Sequence, residues 1–170
     1  CGTATLIALL GLCLHIPAIM AGEVITTQIE WLPSLGLNAN FRIDGLGLLF
    51  GILILGIGLL IITYARYYLS RKYAVGVFYT YLMLFQGAMM GIVLSDNVLF
   101  LLVFWELTSL SSFLLIVYWK HLPEGRQGAR MALTITGIGG LGLLAGVLIV
   151  GHIVGSYDLD RVLASGDLIR

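Results

Sequence analysis

The sequence predicts an all-α membrane protein, a polytopic bundle of about five spanning helices with a small β-hairpin on its outer side. Of its 170 residues, 59% are hydrophobic and 11% are charged, and the mean hydropathy is +1.03. Soluble globular domains are far less apolar. Because the composition is so apolar, we expect the chain to contact the lipid bilayer. The net charge is zero, so no basic surface suggests nucleic acid as a partner.

Five apolar stretches reach or approach the roughly 20 residues that a helix needs to cross the hydrocarbon core. The predicted helices are residues 2–21, 45–65, 75–95, 97–119 and 131–154. The third and fourth form one run of roughly 45 residues, which as a single helix would span about twice the hydrocarbon core. We therefore expect the chain to reverse at Ser95, Asp96 and Asn97, whose short polar side chains suit a turn and can cap the next helix. The short connectors indicate that residues 1–170 form a single membrane domain.

The first connector carries the signals of a β-hairpin. Two β-capable stretches, Thr26 to Leu32 and Leu37 to Ile43, flank a turn signal at Pro33, Ser34 and Gly36. An isolated two-stranded hairpin is only marginally stable in water. We therefore expect this hairpin to lie against the outer ends of neighbouring helices and to join them.

Basic residues in the connectors predict the orientation of the bundle. Cytoplasmic connectors close to spanning helices carry an excess of Lys and Arg. Such residues mark the second and fourth connectors: Arg66, Arg71 and Lys72, and Lys120, Arg126 and Arg130. The other connectors carry mostly Asp and Glu, so five crossings are expected to place Cys1 on the cytoplasmic side and Arg170 on the outer side of a bacterial inner membrane.

Both ends of the sequence indicate a fragment of a longer protein. The chain begins with Cys1 rather than Met, and it stops at Arg170 soon after an apolar segment. The opening apolar run has no basic region before it and no convincing cleavage site, so it is interpreted as a membrane helix and not as a signal peptide. Cys1 and Cys13 have no metal-binding or redox spacing, and a packed thiol is the expected state of Cys13.

Glycine is abundant and recurs at four-residue spacing, which lets membrane helices approach closely. The pairs at this spacing are Gly47 and Gly51, Gly87 and Gly91, Gly142 and Gly146, and Gly151 and Gly155. A further group, Gly137, Gly139, Gly140 and Gly142, can also loosen the fifth helix locally. All of these glycines lie at bilayer depth, which argues against a phosphate-binding loop.

Glu106 is the candidate functional residue, because it is a carboxylate inside an otherwise uncharged apolar run, LFLLVFWELTSLSSFLLIVYW. It lies about 15 Å along the helix from Asp96 and about 21 Å from Lys120, near the middle of the bilayer. An acid at that depth indicates function by default, since burial and a neighbouring cation together can poise it to exchange protons. The alternative is a protonated, structural glutamic acid that donates one hydrogen bond to a neighbouring helix.

Hydroxyl side chains follow Glu106 along the same helix. Ser109 is on nearly the same face, and Thr108, Ser111 and Ser112 add further hydroxyls. They can hold a chain of water molecules, or they can donate to carbonyls of their own helix. Both interpretations stay open on the sequence alone.

Four other polar residues have a functional and a structural interpretation. His15 near Pro17 can belong to a proton relay or can cap a carbonyl freed by the proline, and His152 lies near the outer end of its helix. Asp44 and Asp96 most simply favour helix N-termini, with ion entry as the alternative. The sequence contains no zinc, dinucleotide or haem motif, and we expect no cofactor, no metal and no redox chemistry in this chain.

Two segments, FRIDGLGLLF and GAMMGIVLSDNVLFLLVFWELTSLSSFLLIVYW, resemble the antiporter-like subunits shared by Mrp-type sodium/proton antiporters and respiratory complex I. The likeness covers about residues 28 to 145. It is closer to the large A subunit of Mrp antiporters, because IEWLPSLGLNANFRIDGL and WELTSLSSFLLI resemble that version of the motifs. The chain would then match the second to sixth helices of such a subunit.

The resemblance implies a secondary transporter subunit rather than an enzyme. It implies that Glu106 is the acid of a proton path, that sodium is the exchanged cation, and that the partners are other subunits of a hetero-oligomeric membrane complex. The lysines that continue the path in this family would lie on later helices, beyond Arg170. Two alternatives remain: an antiporter-like subunit of a redox-driven complex such as complex I or a membrane-bound hydrogenase, and a scaffold that conducts no ions.

Overall fold

The computed structural model describes residues 1–32, 37–69, 74–118 and 123–166. Its elements, in chain order, are α1 (Gly2–Cys13), α2 (Ile16–Met20), β1 (Ile25–Leu32), β2 (Leu37–Ile43), α3 (Gly45–Tyr68), α4 (Val75–Leu94), α5 (Val98–Val117), α6 (Pro123–Val154) and α7 (Leu159–Ala164). Several residues used in the predictions lie outside the described ranges: Pro33, Ser34, Gly36, Arg71, Lys72, Lys120 and Arg170.

The predicted fold class is confirmed. Among the described residues, five helical stretches are long and apolar enough to cross a membrane, judged by their length and composition. The two strands pair antiparallel, with Ile25 opposite Ile43 and an irregularity between Ile29 and Leu32. The chain is therefore a multi-pass membrane protein with a small hairpin between its first and second spans.

The helix bounds differ most from the predictions in two places. The first span is broken, since α1 ends at Cys13 and α2 begins at Ile16. Pro17 explains the break, because it lacks an N–H group and its ring clashes with the preceding helical turn. The fifth spanning helix begins at Pro123 rather than at residue 131, in keeping with the preference of proline for the first turn of a helix. The short helix α7 was not predicted.

Consecutive spanning helices pack against one another: α1 on α3, α3 on α4, α4 on α5 and α5 on α6. Only some of the predicted close approaches at glycine occur. A methyl group added at Gly51 would lie 2.6 Å from Cδ2 of Leu12, and one at Gly91 would overlap the ring of Phe104. Gly87 has no such neighbour within 4 Å. Four-residue spacing therefore marks a possible contact, and the rotation of each helix decides which glycine makes it.

A buried polar junction, absent from the sequence predictions, joins three helices. Gln86 on α4 and Thr5 on α1 are only 5% and 1% exposed. The Thr5 hydroxyl lies 3.4 Å from Oε1 of Gln86, and Nε2 of Gln86 donates to the carbonyl of Ile54 on α3 at 3.4 Å. Gly58 leaves room for the amide, since a methyl group there would lie 2.5 Å from Nε2. Interhelical hydrogen bonds of this kind help hold membrane helices together.

At one end of the bundle, backbone hydrogen bonds join three segments into what we call the polar clamp: β2, residues 95–97 and residues 156–160. The amide of Asp96 donates to the carbonyl of Asn40 at 2.8 Å, and the amide of Leu159 donates to the carbonyl of Asp96 at 3.0 Å. The amide of Val98 donates to the carbonyl of Tyr157 at 2.9 Å. The hairpin thus connects the ends of α4, α5 and α6, as its expected joining role requires.

Side chains complete the ends of the helices at the clamp. Asp44 caps α3 by accepting from the amide of Gly47 at 2.8 Å, and Asn97 caps α5 by accepting from the amide of Phe100 at 3.1 Å. The turn between the third and fourth spans is therefore where the sequence predicts it. The structural interpretation of Asp44 also agrees with this contact.

One arginine faces several carboxylates in the polar clamp. Arg42 lies 3.7 Å from a carboxylate oxygen of Asp44 and 3.8 Å from one of Asp96, and it also contacts Asp160. Burial raises the pKa of Asp96, and the nearby carboxylates of Asp160 and Asp158 raise it further, against the opposing effect of Arg42. Asp96 is therefore harder to ionise in the folded protein than in an unfolded chain.

This raised pKa gives a stability prediction for Asp96→Asn. A carboxyl whose pKa is higher in the folded state destabilises that state above this pKa, and the penalty disappears as pH falls below the unfolded value. Asp96→Asn is therefore expected to raise the thermal midpoint of the full-length protein in detergent at pH 7, and the gain should shrink in acid. Glu23→Gln, which removes an exposed carboxylate outside the clamp, is the control. A lower midpoint for Asp96→Asn at pH 7 would contradict the prediction.

Candidate functional site

Glu106 lies near the middle of α5, on the side that packs against α6. A methyl group added at Gly140 on α6 would overlap Oε1 of Glu106 and would lie 2.8 Å from its Cδ and 3.4 Å from its Oε2. The carboxylate therefore occupies space that a side chain at position 140 would fill. Although it is in van der Waals contact with α6, Glu106 is an exposed residue of this chain.

No hydrogen bond or ion pair to Glu106 occurs among the described residues. The structural alternative, a protonated glutamic acid that donates to a neighbouring helix, needs an acceptor. Within the described ranges no such acceptor is found, while the side chain keeps an exposed surface. The described part of the chain therefore leaves the Glu106 side chain partly uncovered.

The predicted hydroxyls donate to their own helix rather than to Glu106. Thr108 and Ser109 donate to the carbonyl of Trp105 at 2.7 and 3.3 Å. Ser111 donates to the carbonyl of Leu107 at 2.7 Å. For these three, the helix-bonded alternative is the one observed. Each hydroxyl oxygen nevertheless keeps a lone pair that can accept from a water molecule.

A cavity of about 300 Å³ lies between α4, α5 and α6. Its walls combine four hydroxyls with larger apolar side chains: Thr108, Ser109, Ser112 and Thr136, and Phe85, Met89, Ile92 and Trp105. Ser109 is one turn along α5 from Glu106, and Thr136 is one turn along α6 from Gly140. The cavity is broadly open on one side, and Glu106 and Gly140 are not among its lining residues. At roughly 30 Å³ per molecule, it has room for several waters beside the hydroxyls that lie one turn from these two residues.

The remaining candidates lie elsewhere. His15 is at the break between α1 and α2, and His152 is in the last turn of α6. Neither bonds to Glu106 among the described residues. Within the same ranges, no group of three or more His, Cys, Asp or Glu side chains is arranged to hold a metal ion. The candidate site therefore consists of Glu106, the adjoining surface of α6 and the hydroxyl-bearing cavity.

The sequence marks Glu106 as a candidate residue but gives no sign of its contact with Gly140. The sequence marks this glycine only as one of a group, Gly137, Gly139, Gly140 and Gly142, that can loosen α6. Added methyl groups at the other three would meet no such neighbour within 4 Å. The signal that separates Gly140 from its neighbours is the relative rotation of α5 and α6, which the sequence does not display.

Two family models match most of the chain between them. One, described as NADH:quinone oxidoreductase/Mrp antiporter, TM, matches residues 95–167. The other, described as NADH-ubiquinone oxidoreductase (complex I), chain 5 N-terminus, matches residues 31–79. The first of these segments contains Glu106 on α5, the helix α6 that the carboxylate contacts, and part of the polar clamp.

Curated relatives agree with these matches. The chain is 54% identical over 154 residues to the A/B subunit of a probable K(+)/H(+) antiporter of Rhizobium meliloti, covering 91% of this chain and 15% of that protein. It is 45% identical over 151 residues to the A1 subunit of a Na(+)/H(+) antiporter of Staphylococcus aureus, covering 89% of this chain and 19% of that protein. The chain thus spans less than a fifth of the length of either relative.

Solved structures show the same arrangement of helices. A chain of the Mrp complex from Dietzia sp. DQ12-45-1b is 35% identical, with a TM-score of 0.81 over 95% of this chain and 18% of that one. A chain of the membrane-bound sulfane sulfur reductase, an archaeal respiratory membrane complex, has a TM-score of 0.83 over 98% of this chain and 34% of that one. At 19% identity, the second likeness concerns the fold alone.

Proposed function

Because the chain belongs to the family of membrane subunits shared by Mrp antiporters and NADH:quinone oxidoreductases, we propose that it is the proton-translocating part of one subunit in a multisubunit cation/proton antiporter. Glu106 is the proton-carrying acid in this proposal. The position of Glu106 supports this role, because it is the one acidic side chain within the five candidate spans among the described residues. Ionisable residues inside membrane segments mark ion and proton pathways.

In this proposal, Glu106 exchanges protons with water in the adjoining cavity. The carboxylate accepts a proton from a water held by the hydroxyls near Ser109 and Thr136, and it releases the proton to a group outside this chain. The resemblance assigns that group to a lysine on a later helix. A cation that approaches Glu106 stabilises its ionised form, and withdrawal of the cation favours reprotonation. The rest of the same subunit and the other subunits of the complex supply the remaining helices.

The exchanged cation is proposed to be sodium, as in the Staphylococcus aureus relative. The Rhizobium meliloti relative, which is more similar, is described as part of a probable K(+)/H(+) antiporter. Potassium is therefore the necessary comparison in any assay. The chain is proposed to act only in assembly with other subunits.

We propose that the polar clamp faces the outside of the cell membrane. Its charged side chains are mainly acidic, whereas Arg66 lies near the other end of α3 and Arg126 and Arg130 lie in the first turns of α6. Basic residues favour the cytoplasmic side. Cys1 is then cytoplasmic, and Arg170 is placed outside by the same count of crossings.

A second candidate is an antiporter-like subunit of a redox-driven complex. The observation that favours it is the description of both family models, which name NADH oxidoreductases. In that case soluble redox subunits would drive the same membrane part. Iron-sulfur or flavin proteins would then copurify with the full-length protein, whereas the antiporter proposal expects further membrane subunits without redox centres.

The test of the antiporter proposal uses inverted vesicles that contain the full-length protein with its partner subunits. After respiration has acidified the vesicle interior, added sodium chloride is expected to collapse the pH gradient. Potassium chloride identifies the alternative cation, and choline chloride controls for ionic strength. A pH gradient that responds to none of these salts would overturn the proposal.

A non-conducting scaffold is separated from both transport proposals by infrared difference spectroscopy. If Glu106 exchanges protons, a carboxyl band assigned through Glu106→Gln should change with pH or with sodium. A scaffold predicts a band that stays the same across the neutral pH range.

A further inference from the structure

We propose that Gly140 is a positioning residue for Glu106. This inference rests on the proposed function, since it concerns how the proton-carrying carboxylate is held. The bare backbone of α6 at position 140 leaves the space in which Oε1 of Glu106 lies, and an added methyl group would overlap that oxygen. A hydrogen atom at this point is therefore part of the geometry of the site.

The contact is specific to one glycine of a glycine-rich helix. Within the described ranges, methyl groups added on α6 at Gly137, Gly139, Gly142 and Gly146 would meet no neighbour within 4 Å. Helical periodicity puts Gly140 on the same face as Thr136, one turn away. Since Thr136 lines the cavity between α4, α5 and α6, this face of α6 carries both the wall of the carboxylate site and one of the hydroxyls beside it.

The missing side chain also determines how far the carboxylate can extend. Glu106 reaches α6 through three side-chain torsions, and a methyl group at position 140 would force it into another rotamer or push α5 and α6 apart. Misplacement of a reacting group by about 1 Å can slow a reaction about 100-fold. Gly140→Ala is therefore expected to slow cation-dependent proton flux by about 10-fold or more.

The same chain offers a matched control. Gly139→Ala adds the same methyl group to the adjacent residue of the same helix, where no atom of the described part of the chain lies within 4 Å. Alanine is a better helix former than glycine at either position. A loss of flux confined to Gly140→Ala therefore comes from the contact with Glu106 and not from a change in helix stability.

A second variant relieves the overlap. Glu106→Asp shortens the side chain by one methylene group, which withdraws the carboxylate from position 140. The double variant combines Gly140→Ala with Glu106→Asp. Relative to Glu106→Asp alone, its added methyl group is expected to reduce flux much less than Gly140→Ala does in the native protein. Such non-additivity is the signature of two residues in contact.

The experiment compares Gly140→Ala, Gly139→Ala, Glu106→Asp, the double variant and Glu106→Gln in the full-length complex. Flux is normalised to the amount of assembled complex, and the Glu106 carboxyl band and the pH profile of flux are recorded. We expect Gly140→Ala to lower flux, to shift the carboxyl band and to move the pH profile of flux. Gly139→Ala is expected to change none of these. A merely structural role would lower assembly and leave the band and the profile unchanged.

Two outcomes overturn this inference: an unchanged flux and band in Gly140→Ala while Glu106→Gln is inactive, or an equal loss in Gly139→Ala. Failure of the proposed function looks different, because Glu106→Gln would then transport like the native protein. In that case the carboxyl band of Gly140→Ala alone decides whether the glycine positions the side chain.

Discussion

Replacement of Glu106 by glutamine is expected to reduce cation-dependent proton flux of the full-length complex by at least about 100-fold. Glutamine keeps the size and shape of the side chain and still fits against Gly140. It cannot bind and release a proton at neutral pH. The loss should therefore appear in flux, while the amount of assembled complex stays close to normal.

Glu106→Asp separates the chemistry from the geometry of the side chain. Aspartate keeps an ionisable carboxyl but withdraws it from α6, so it is expected to retain part of the flux. Glu23→Gln removes an acid from the first connector and should transport like the native protein. Native flux in Glu106→Gln at normal expression would refute the role proposed for this residue.

The second large effect is expected at Gly91, where α4 and α5 meet. A methyl group at this position would overlap the ring of Phe104. Phe104 cannot move freely, because it packs edge-on against Phe100 at 4.8 Å between ring centroids, and Phe100 in turn packs against Phe41 of the hairpin at 5.5 Å. Adding atoms to a filled contact of this kind destabilises a protein by about 1–3 kcal/mol.

Gly87→Ala is the matched comparison, one turn away on the same helix. An added methyl group at Gly87 would meet no such neighbour within 4 Å, and alanine stabilises a helix by roughly 0.5–1 kcal/mol over glycine. The two variants should therefore shift the thermal midpoint of the full-length protein in detergent in opposite directions. Equal thermal midpoints of the two variants would show that the methyl group added beside Phe104 does not destabilise the protein.

The spanning helices and the hairpin were predictable because their signals are local. The length of an apolar run determines whether it can cross the bilayer, and two β-capable stretches on either side of a turn signal indicate a hairpin. A turn was required by length, since one helix of that size would be too long for a membrane, and the short polar side chains of Ser95, Asp96 and Asn97 gave its position. The break before Pro17 is also a local effect, although one continuous helix was predicted there.

The contacts between helices were not predictable, because they depend on which helices are neighbours and on their rotation. Nothing in the sequence connects Thr5 with Gln86, which lie on the first and third spans. In the same way, Gly140 differs from Gly139 only in its direction around the axis of α6. Glu106 could be identified from the sequence because an acid is so unusual inside an apolar run. The glycine that it contacts could not, because Gly140 is one of several glycines in the same helix.

The polar clamp has a mechanical consequence. It joins the ends of α4, α5 and α6 through backbone hydrogen bonds at Asp96, Val98 and Leu159. We therefore expect these helices to tilt relative to one another about the clamp, and Glu106 lies about 15 Å along α5 from it. A tilt of only about 4° between α5 and α6 would therefore move the carboxylate by about 1 Å relative to Gly140. If Glu106 carries protons as proposed, a small rotation at the clamp changes the distance over which the proton is transferred.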